Sequence, residues 1–340
     1  AANHDIDNVA FASTPGTLPE LPVMNVGSTV TATIAASGEV DRYALTLDTP
    51  TRLVFDTLTS NYYFHWSLTG PQGTVVADRY FGNSDSYDGF TVLDLPAGEY
   101  VLSVFGTTGT YSMRVLDAAQ ATSFEIGDAV SGTLNPANST QLYRFEGLAG
   151  ERLYFDNTSL SGGDTYWRLV DPFGRIVWNQ VYMSNDVRDV VLAHDGEYML
   201  MVEGRYYLSG GTSSYGFEVQ RVDVEDDTPV TLGTIVDATI AQKGQTDRFT
   251  FSLDETTRVY FDSLTTNAAW DSGNLRWALT GPDGTVVSDR PFSQSDSYEG
   301  LSLMTLGPGD YTLTVTTVAE ITGAYRFRLI DVDAPTVVEP

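Results

Sequence analysis

Short runs in which apolar and polar residues alternate recur along the whole chain, Tyr43-Ala-Leu-Thr-Leu47 and Tyr311-Thr-Leu-Thr-Val315 among them. A period of two is the mark of a strand with one buried face. The runs are separated by Gly, Pro, Asn and Asp, and no segment carries a sustained 3.6-residue apolar stripe. Roughly eight short strands per hundred residues, with turn signals between them, predict an all-β chain of antiparallel, jelly-roll-like β-sandwiches.

One pattern occurs three times. Arg52-Leu-Val-Phe-Asp56 returns as Arg152-Leu-Tyr-Phe-Asp156 and as Arg258-Val-Tyr-Phe-Asp262, at spacings of 100 and 106 residues. Trp66-Ser-Leu-Thr-Gly-Pro-Gln-Gly73 matches Trp167-Arg-Leu-Val-Asp-Pro-Phe-Gly174 and Trp277-Ala-Leu-Thr-Gly-Pro-Asp-Gly284. A Gly-acid-Tyr step follows (Gly98-Glu-Tyr100, Gly196-Glu-Tyr198, Gly309-Asp-Tyr311), then a closing strand from Tyr111, Tyr215 or Tyr325. A period this long exceeds that of solenoid repeats, so each copy should be a self-contained domain. The expected division is 23–120, 121–227 and 228–335, with residues 1–22 a leader or linker and 336–340 a tail. The unmatched leader and the connector-like tail suggest a piece excised from a longer protein. Each repeated tryptophan precedes a leucine by two residues, so both share one strand face and read as core. The Pro-x-Gly that follows reads as a tight hairpin turn, and Gly27, Gly127 and Gly233 as turn residues opening each copy.

Composition narrows the function. Of 340 residues 45 are acidic and 18 basic, a formal charge of -27, and Lys243 is the only lysine. Such a field repels polyanions, which excludes nucleic acid as a natural partner and disfavours an anionic lipid surface. No apolar run is long enough to span a membrane. The absence of cysteine removes disulfides, thiolate metal sites and cysteine nucleophiles. An acidic, Cys-free chain rich in Gly, Thr, Ser and Tyr fits a secreted or cell-surface bacterial protein.

The order Gly27-Ser-Thr-Val-Thr-Ala-Thr-Ile34, Asp41-Arg-Tyr-Ala-Leu45, Leu95-Pro-Ala-Gly-Glu-Tyr-Val-Leu-Ser-Val104 resembles the bacterial pre-peptidase C-terminal domain family. Gly127-Asp-Ala-Val-Ser-Gly-Thr-Leu134 and Gly163 to Gly174 carry the likeness in the second copy, Asp247-Arg-Phe-Thr-Phe251 in the third. The resemblance implies small β-sandwiches of the kind appended to secreted proteases and strung along surface adhesins, some relatives binding collagen or glycans with calcium support. The family's acidic pair before the hairpin strand is missing from the first copy, where Tyr62-Tyr-Phe-His65 stands, and the third has only Asp271 nearby.

Catalysis finds no support. His4, His65 and His194 fall at unaligned positions, and a triad or histidine metal site needs groups that converge. Calcium is the cofactor the acids suit, since hard cations want many oxygen ligands. Asp78-Arg-Tyr-Phe-Gly-Asn-Ser-Asp-Ser-Tyr-Asp-Gly89 and Asp289-Arg-Pro-Phe-Ser-Gln-Ser-Asp-Ser-Tyr-Glu-Gly300 share eight of twelve residues, while the middle copy differs. The loop is either an ion site using Asp85, Asp88, Asp296 and Glu299, or a solvated connection left by a recent duplication. Asp5 with Asp7, and the linker acids Asp223, Glu225, Asp226 and Asp227, are further metal candidates.

Sugar binding on a sandwich wants exposed rings, and aromatics that do not recur are those the fold does not require. By sequence alignment Trp178 falls with Ala77 and Ser288, and Trp270 lies in a loop. Both are ligand-binding candidates, with Tyr87, Tyr182 and Tyr298, and the unshared Tyr62, Tyr80, Tyr206 and Tyr207 belong to the same set. The leading expectation is a non-catalytic adhesion segment whose partners are a glycan or extracellular protein and further domains of its own parent chain. The alternative is a structural spacer or filament-building array.

Overall fold

The computed structural model describes residues 20–84, 92–208, 210–222, 227–265, 273–295, 303–318 and 321–334. Among them the chain is all-β, with three short 3-10 turns and no α-helix. The first sandwich contains β1 (Thr29–Ile34), β2 (Val40–Leu47), β3 (Thr51–Thr57), β4 (Phe64–Gly70), β5 (Gly73–Tyr80), β6 (Val92–Leu95), β7 (Gly98–Gly106) and β8 (Gly109–Asp117). They form two antiparallel sheets, β1-β8-β3-β6 and β2-β7-β4-β5.

Each later sequence copy builds the same two layers. In the second, Ala129–Leu134, Ser213–Arg221, Arg152–Ser161 and Val187–Val191 form one sheet. Ile176–Tyr182, Thr165–Val170, Gly196–Gly204 and Thr140–Gly147 form the other, with Thr122–Ser123 added in parallel at its edge. In the third, Ile235–Ile240, Gly323–Asp331, Thr257–Ser263 and Leu303–Leu306 face the sheet of Thr228–Pro229, Asp247–Leu253, Gly309–Thr317, Leu275–Gly281 and Gly284–Pro291.

The alternating runs put one side of every strand into a core. Trp66, Trp167 and Trp277 are essentially fully buried, as are Leu68, Leu169 and Leu279. The indoles of Trp66 and Trp277 stack on Phe55 and Phe261 at 4.7 and 4.1 Å; Trp167 instead meets Phe155 edge-on. The Gly-Pro-x-Gly turns join β4 to β5 and Leu275–Gly281 to Gly284–Pro291, with Gly73 and Gly284 both at φ +105. The first glycine of each turn is set by packing: a Cβ on Gly70 or Gly281 would lie 2.4 Å from the ring of Tyr100 or Tyr311, the tyrosine of the Gly-acid-Tyr step.

Successive sandwiches are packed on one another. Val54, Leu116 and Val92 on the outer face of the first meet Ala121, Leu142, Val170, Met199 and Met201 of the second in a small fourth core. Within the second sandwich's side of that junction Arg168 Nε donates to Glu203 at 2.7 Å, with both side chains buried. Arg52 reaches across as well, from an ion pair with Asp94 to the carbonyls of Asp171 and Pro172.

Candidate ligand-binding site

Along one margin of that junction the tyrosines not required by the fold come together. Because Phe64, Trp66 and Leu68 point inward, His65 points out of β4, and it pairs across the hairpin with Tyr80. Their rings lie 4.0 Å apart, and His65 Nδ1 is 2.7 Å from Asp78. Tyr62, in the turn before β4, stacks on Tyr80 at 4.6 Å and meets Tyr63 edge-on. Tyr63 is 70% exposed.

The row continues into the second sandwich. Tyr62 lies 6.5 Å from Tyr206, which meets Tyr207 edge-on at 6.0 Å. Ser60 Oγ donates to the Tyr207 carbonyl at 2.9 Å and ties the two loops together. The Arg205 guanidinium sits over the rings of both Tyr207 and Tyr166, at 4.7 and 5.4 Å, a geometry in which ring quadrupoles attract a cation. Tyr166 and Tyr182 are cross-strand partners with rings 4.3 Å apart. Tyr207 donates its hydroxyl to Asp164, and this bond together with burial raises the phenol's pKa. Burial raises the Tyr166 phenol too, so both stay neutral hydroxyls at ordinary pH.

The result is a run of rings across two sandwiches, with Arg205, Asp164, His65 and Asp78 as its charged or polar neighbours. Tyr62, Tyr182 and Tyr207 are each about two-fifths exposed. Rings can stack on the apolar face of a flat ligand while neighbouring hydroxyl, carboxylate and guanidinium groups read its polar edge. Of the ligand-binding residues expected from sequence, Tyr182 is here. Tyr62, Tyr80, Tyr206 and Tyr207 join it, whereas Tyr63, His65, Asp164, Tyr166 and Arg205 were not singled out as binding residues. No sequence signal joins the loops around 60 and 206; only the packing of the sandwiches does.

Trp178, expected from sequence in a binding face, is partly buried and packs against the core of the second sandwich. Leu169 pairs with Trp178 as Leu68 pairs with Val76 and Leu279 with Val287, because the turn after Val170 is one residue longer: Val170 pairs with Ile176, whereas Thr69 pairs with Thr74 and Thr280 with Thr285. Its structural equivalents are therefore the inward Val76 and Val287, not Ala77 and Ser288. The indole packs edge-on against Phe155 and Trp167 at 5.5 and 5.8 Å, and its buried Nε1 has no hydrogen-bond partner. Trp270, Tyr87, Tyr298, Asp85, Asp88, Asp296, Glu299, Asp5 and Asp7 lie outside the described residues, as do Asp223, Glu225 and Asp226. Asp227 is described and pairs with Arg248 at 2.6 Å. Among the described residues no group of three His, Asp or Glu is placed to hold a metal ion, and no helix is long and apolar enough to cross a membrane.

No protein-family model and no curated protein matches the sequence. Among solved structures, the chain is similar to the pre-peptidase C-terminal domain of a collagenase from Bacillus anthracis, at 15% identity and a TM-score of 0.26, over 32% of this chain and 97% of that one. It is also similar to the CUB1-EGF-CUB2 region of human MASP-1/3 (11% identity, TM-score 0.18, 57% of this chain and 99% of that one). A third is a triple jelly-roll protein of an archaeal virus turret (9% identity, TM-score 0.19, 89% of each chain).

Proposed function

We propose that this chain is a non-catalytic ligand-binding segment of an extracellular bacterial protein, and that the tyrosine row across the first two sandwiches holds a glycan. The observation that carries the reading is the run from Tyr80 and Tyr62 through Tyr206 to Tyr207, continued by the Arg205 guanidinium to buried Tyr166 and its partner Tyr182, over a junction tied by Ser60 and the Tyr207 carbonyl. A chain of such net negative charge favours a neutral or cationic ligand, and a neutral sugar meets both the rings and the polar groups. On the motifs quoted from its sequence, each sandwich is read as a copy of the pre-peptidase C-terminal type. Calcium is a supporting ion on the sequence pattern of the two acid-rich loops. The test of the ligand class is a glycan array probed with the labelled chain and with Tyr207→Ala: binding to a defined glycan family, lost in the variant, is expected. An array on which chain and variant give the same signal, or none, overturns the reading.

The junctions favour the structural alternative as a second reading. Buried contacts such as Asp56 with Thr140 and the Val54–Met201 cluster hold the sandwiches in register, which suits a stiff spacer. An array without ligand and a rod-like hydrodynamic shape would favour that reading.

A further inference from the structure

The Arg-x-x-Phe-Asp strands send their phenylalanine inward and their aspartate outward, so Asp56, Asp156 and Asp262 occupy equivalent places on the outer face of one sheet in each sandwich. Their cross-strand partners are Arg114, Glu218 and Arg328. In the first two sandwiches the next one covers this place. Asp56 has no exposed side-chain surface; it accepts from Arg114 Nε at 2.6 Å and from the Thr140 N–H and hydroxyl of the second sandwich at 3.1 and 3.2 Å. Asp156 faces Glu218 instead of an arginine, and its cation comes from the third sandwich, Lys243 Nζ at 2.8 Å. Beside it Tyr154 is buried under Gly244, and Arg188 donates to the Thr317 carbonyl at 3.0 Å. At both junctions the covering group comes from the turn between the first two main strands of the following sandwich, or from the strand that follows that turn.

Among the described residues the third sandwich carries the same face without the cover. Tyr260, Asp262, Arg328 and Ile330 take the places of Val54, Asp56, Arg114 and Leu116, and Leu303 that of Val92. Asp262 keeps its in-sheet partner, Arg328 Nη2 at 2.5 Å, yet their side chains are 19% and 36% exposed, against 0% and 20% for Asp56 and Arg114. Leu303 is 38% exposed and Tyr260 and Ile330 are partly open. Among the described residues no ion pair or hydrogen bond from another sandwich reaches this face. At the other end, the corresponding turn of the first sandwich, residues 35–38 between β1 and β2, is exposed.

We propose that the outer face formed by Tyr260, Asp262, Leu303, Arg328 and Ile330 docks the β1–β2 turn of the first sandwich of a second copy of this chain, repeating the internal junctions between molecules. The contact joins two different surfaces, so it is head-to-tail and propagates into linear oligomers instead of closing as a dimer. The copies repel one another through their net charge, which salt screens over about 8 Å at physiological ionic strength. Association therefore strengthens with added salt, the reverse of an interface held chiefly by ion pairs.

The experiment is sedimentation of the full chain over a wide concentration range, at physiological and at high sodium chloride. Average mass should climb past the dimer with concentration, more steeply at high salt. Leu303→Glu on one surface and Ser37→Trp on the other should each weaken association about tenfold or more. Both positions are substantially exposed, and thermal unfolding confirms that the variants fold. Mixing the two variants should give dimers only, because one competent surface of each kind remains. A chain that stays monomeric at the highest concentration overturns the proposal, as does association that stops at a dimer or ignores both substitutions.

Discussion

Lys243→Met isolates the energetics of one junction. The substitution keeps most of the apolar stem and removes the cation that meets Asp156 at 2.8 Å. The aspartate side chain is only 3% exposed, and its Oδ1 is buried without a hydrogen bond, so its charge has little recourse to water once Lys243 is gone. Removing one member of a fully buried pair costs about 3–5 kcal/mol. The lysine is 32% exposed, which screens its end of the pair, so a loss of about 2 kcal/mol is the working figure. Glu218 stands where the other sandwiches have Arg114 and Arg328. Glu218→Arg in the Lys243→Met background should therefore put a cation back across the strand and recover about half of the loss or more. Urea unfolding followed by intrinsic fluorescence, with the transitions of the sandwiches resolved, reads both numbers. Stability within about 0.5 kcal/mol of the parent, or no recovery with Glu218→Arg, would mean that Lys243 does not neutralise Asp156 at this junction.

Burial, only partly offset by the hydrogen bonds from Tyr325 and Gln245, holds the Asp247 carboxyl above the ordinary carboxylate range. The folded chain thus keeps a proton there after the unfolded chain has lost it. That stabilisation is complete below the unfolded pKa of about 3.9 and fades as pH rises through the folded value. Asp247→Asn, which keeps the shape and which the equivalent Gln141 already approximates, should raise stability at pH 7 by about 1 kcal/mol and flatten the dependence on acid; thermal unfolding across pH 4–8 checks both. Trp178→Ala should cost about 2–3 kcal/mol, less than at a fully buried tryptophan because the indole is only partly buried, while leaving affinity for a bound glycan unchanged in the folded fraction, measured by calorimetry. Calcium at constant ionic strength should raise the unfolding temperature of the chain, in proportion to RT ln(1 + [L]/Kd), and magnesium should not.

Strands and cores were readable because local pattern dictates them. Trp66, Trp167 and Trp277, the turn glycines Gly27, Gly127 and Gly233 with positive φ, and the Gly-Pro-x-Gly hairpins of the first and third copies sit as their spacing implies; the Asp-Pro-Phe-Gly turn of the second is one residue longer. Trp178 aligns by count with Ala77 and Ser288, yet one extra residue in the turn after Val170, which pairs with Ile176 where Thr69 pairs with Thr74, puts it in the place of Val76 and Val287. The site was legible only as parts. That Tyr62 and Tyr207 are unshared could be seen along the chain, but their meeting depends on how two sandwiches pack. The same holds for Asp56, Asp156 and Lys243, whose partners lie across junctions, many residues away in sequence.

On the function proposed, one ligand lies across both sandwiches on the tyrosine row. Calorimetric titration of the array-identified glycan into the parent chain, Tyr62→Ala and Tyr207→Ala tests it most directly, since these rings sit on opposite sides of the junction. A single site is expected, its affinity falling about tenfold with either substitution, with both variants folded to the same extent as the parent. Affinity that responds to only one ring, or to neither, would contradict it.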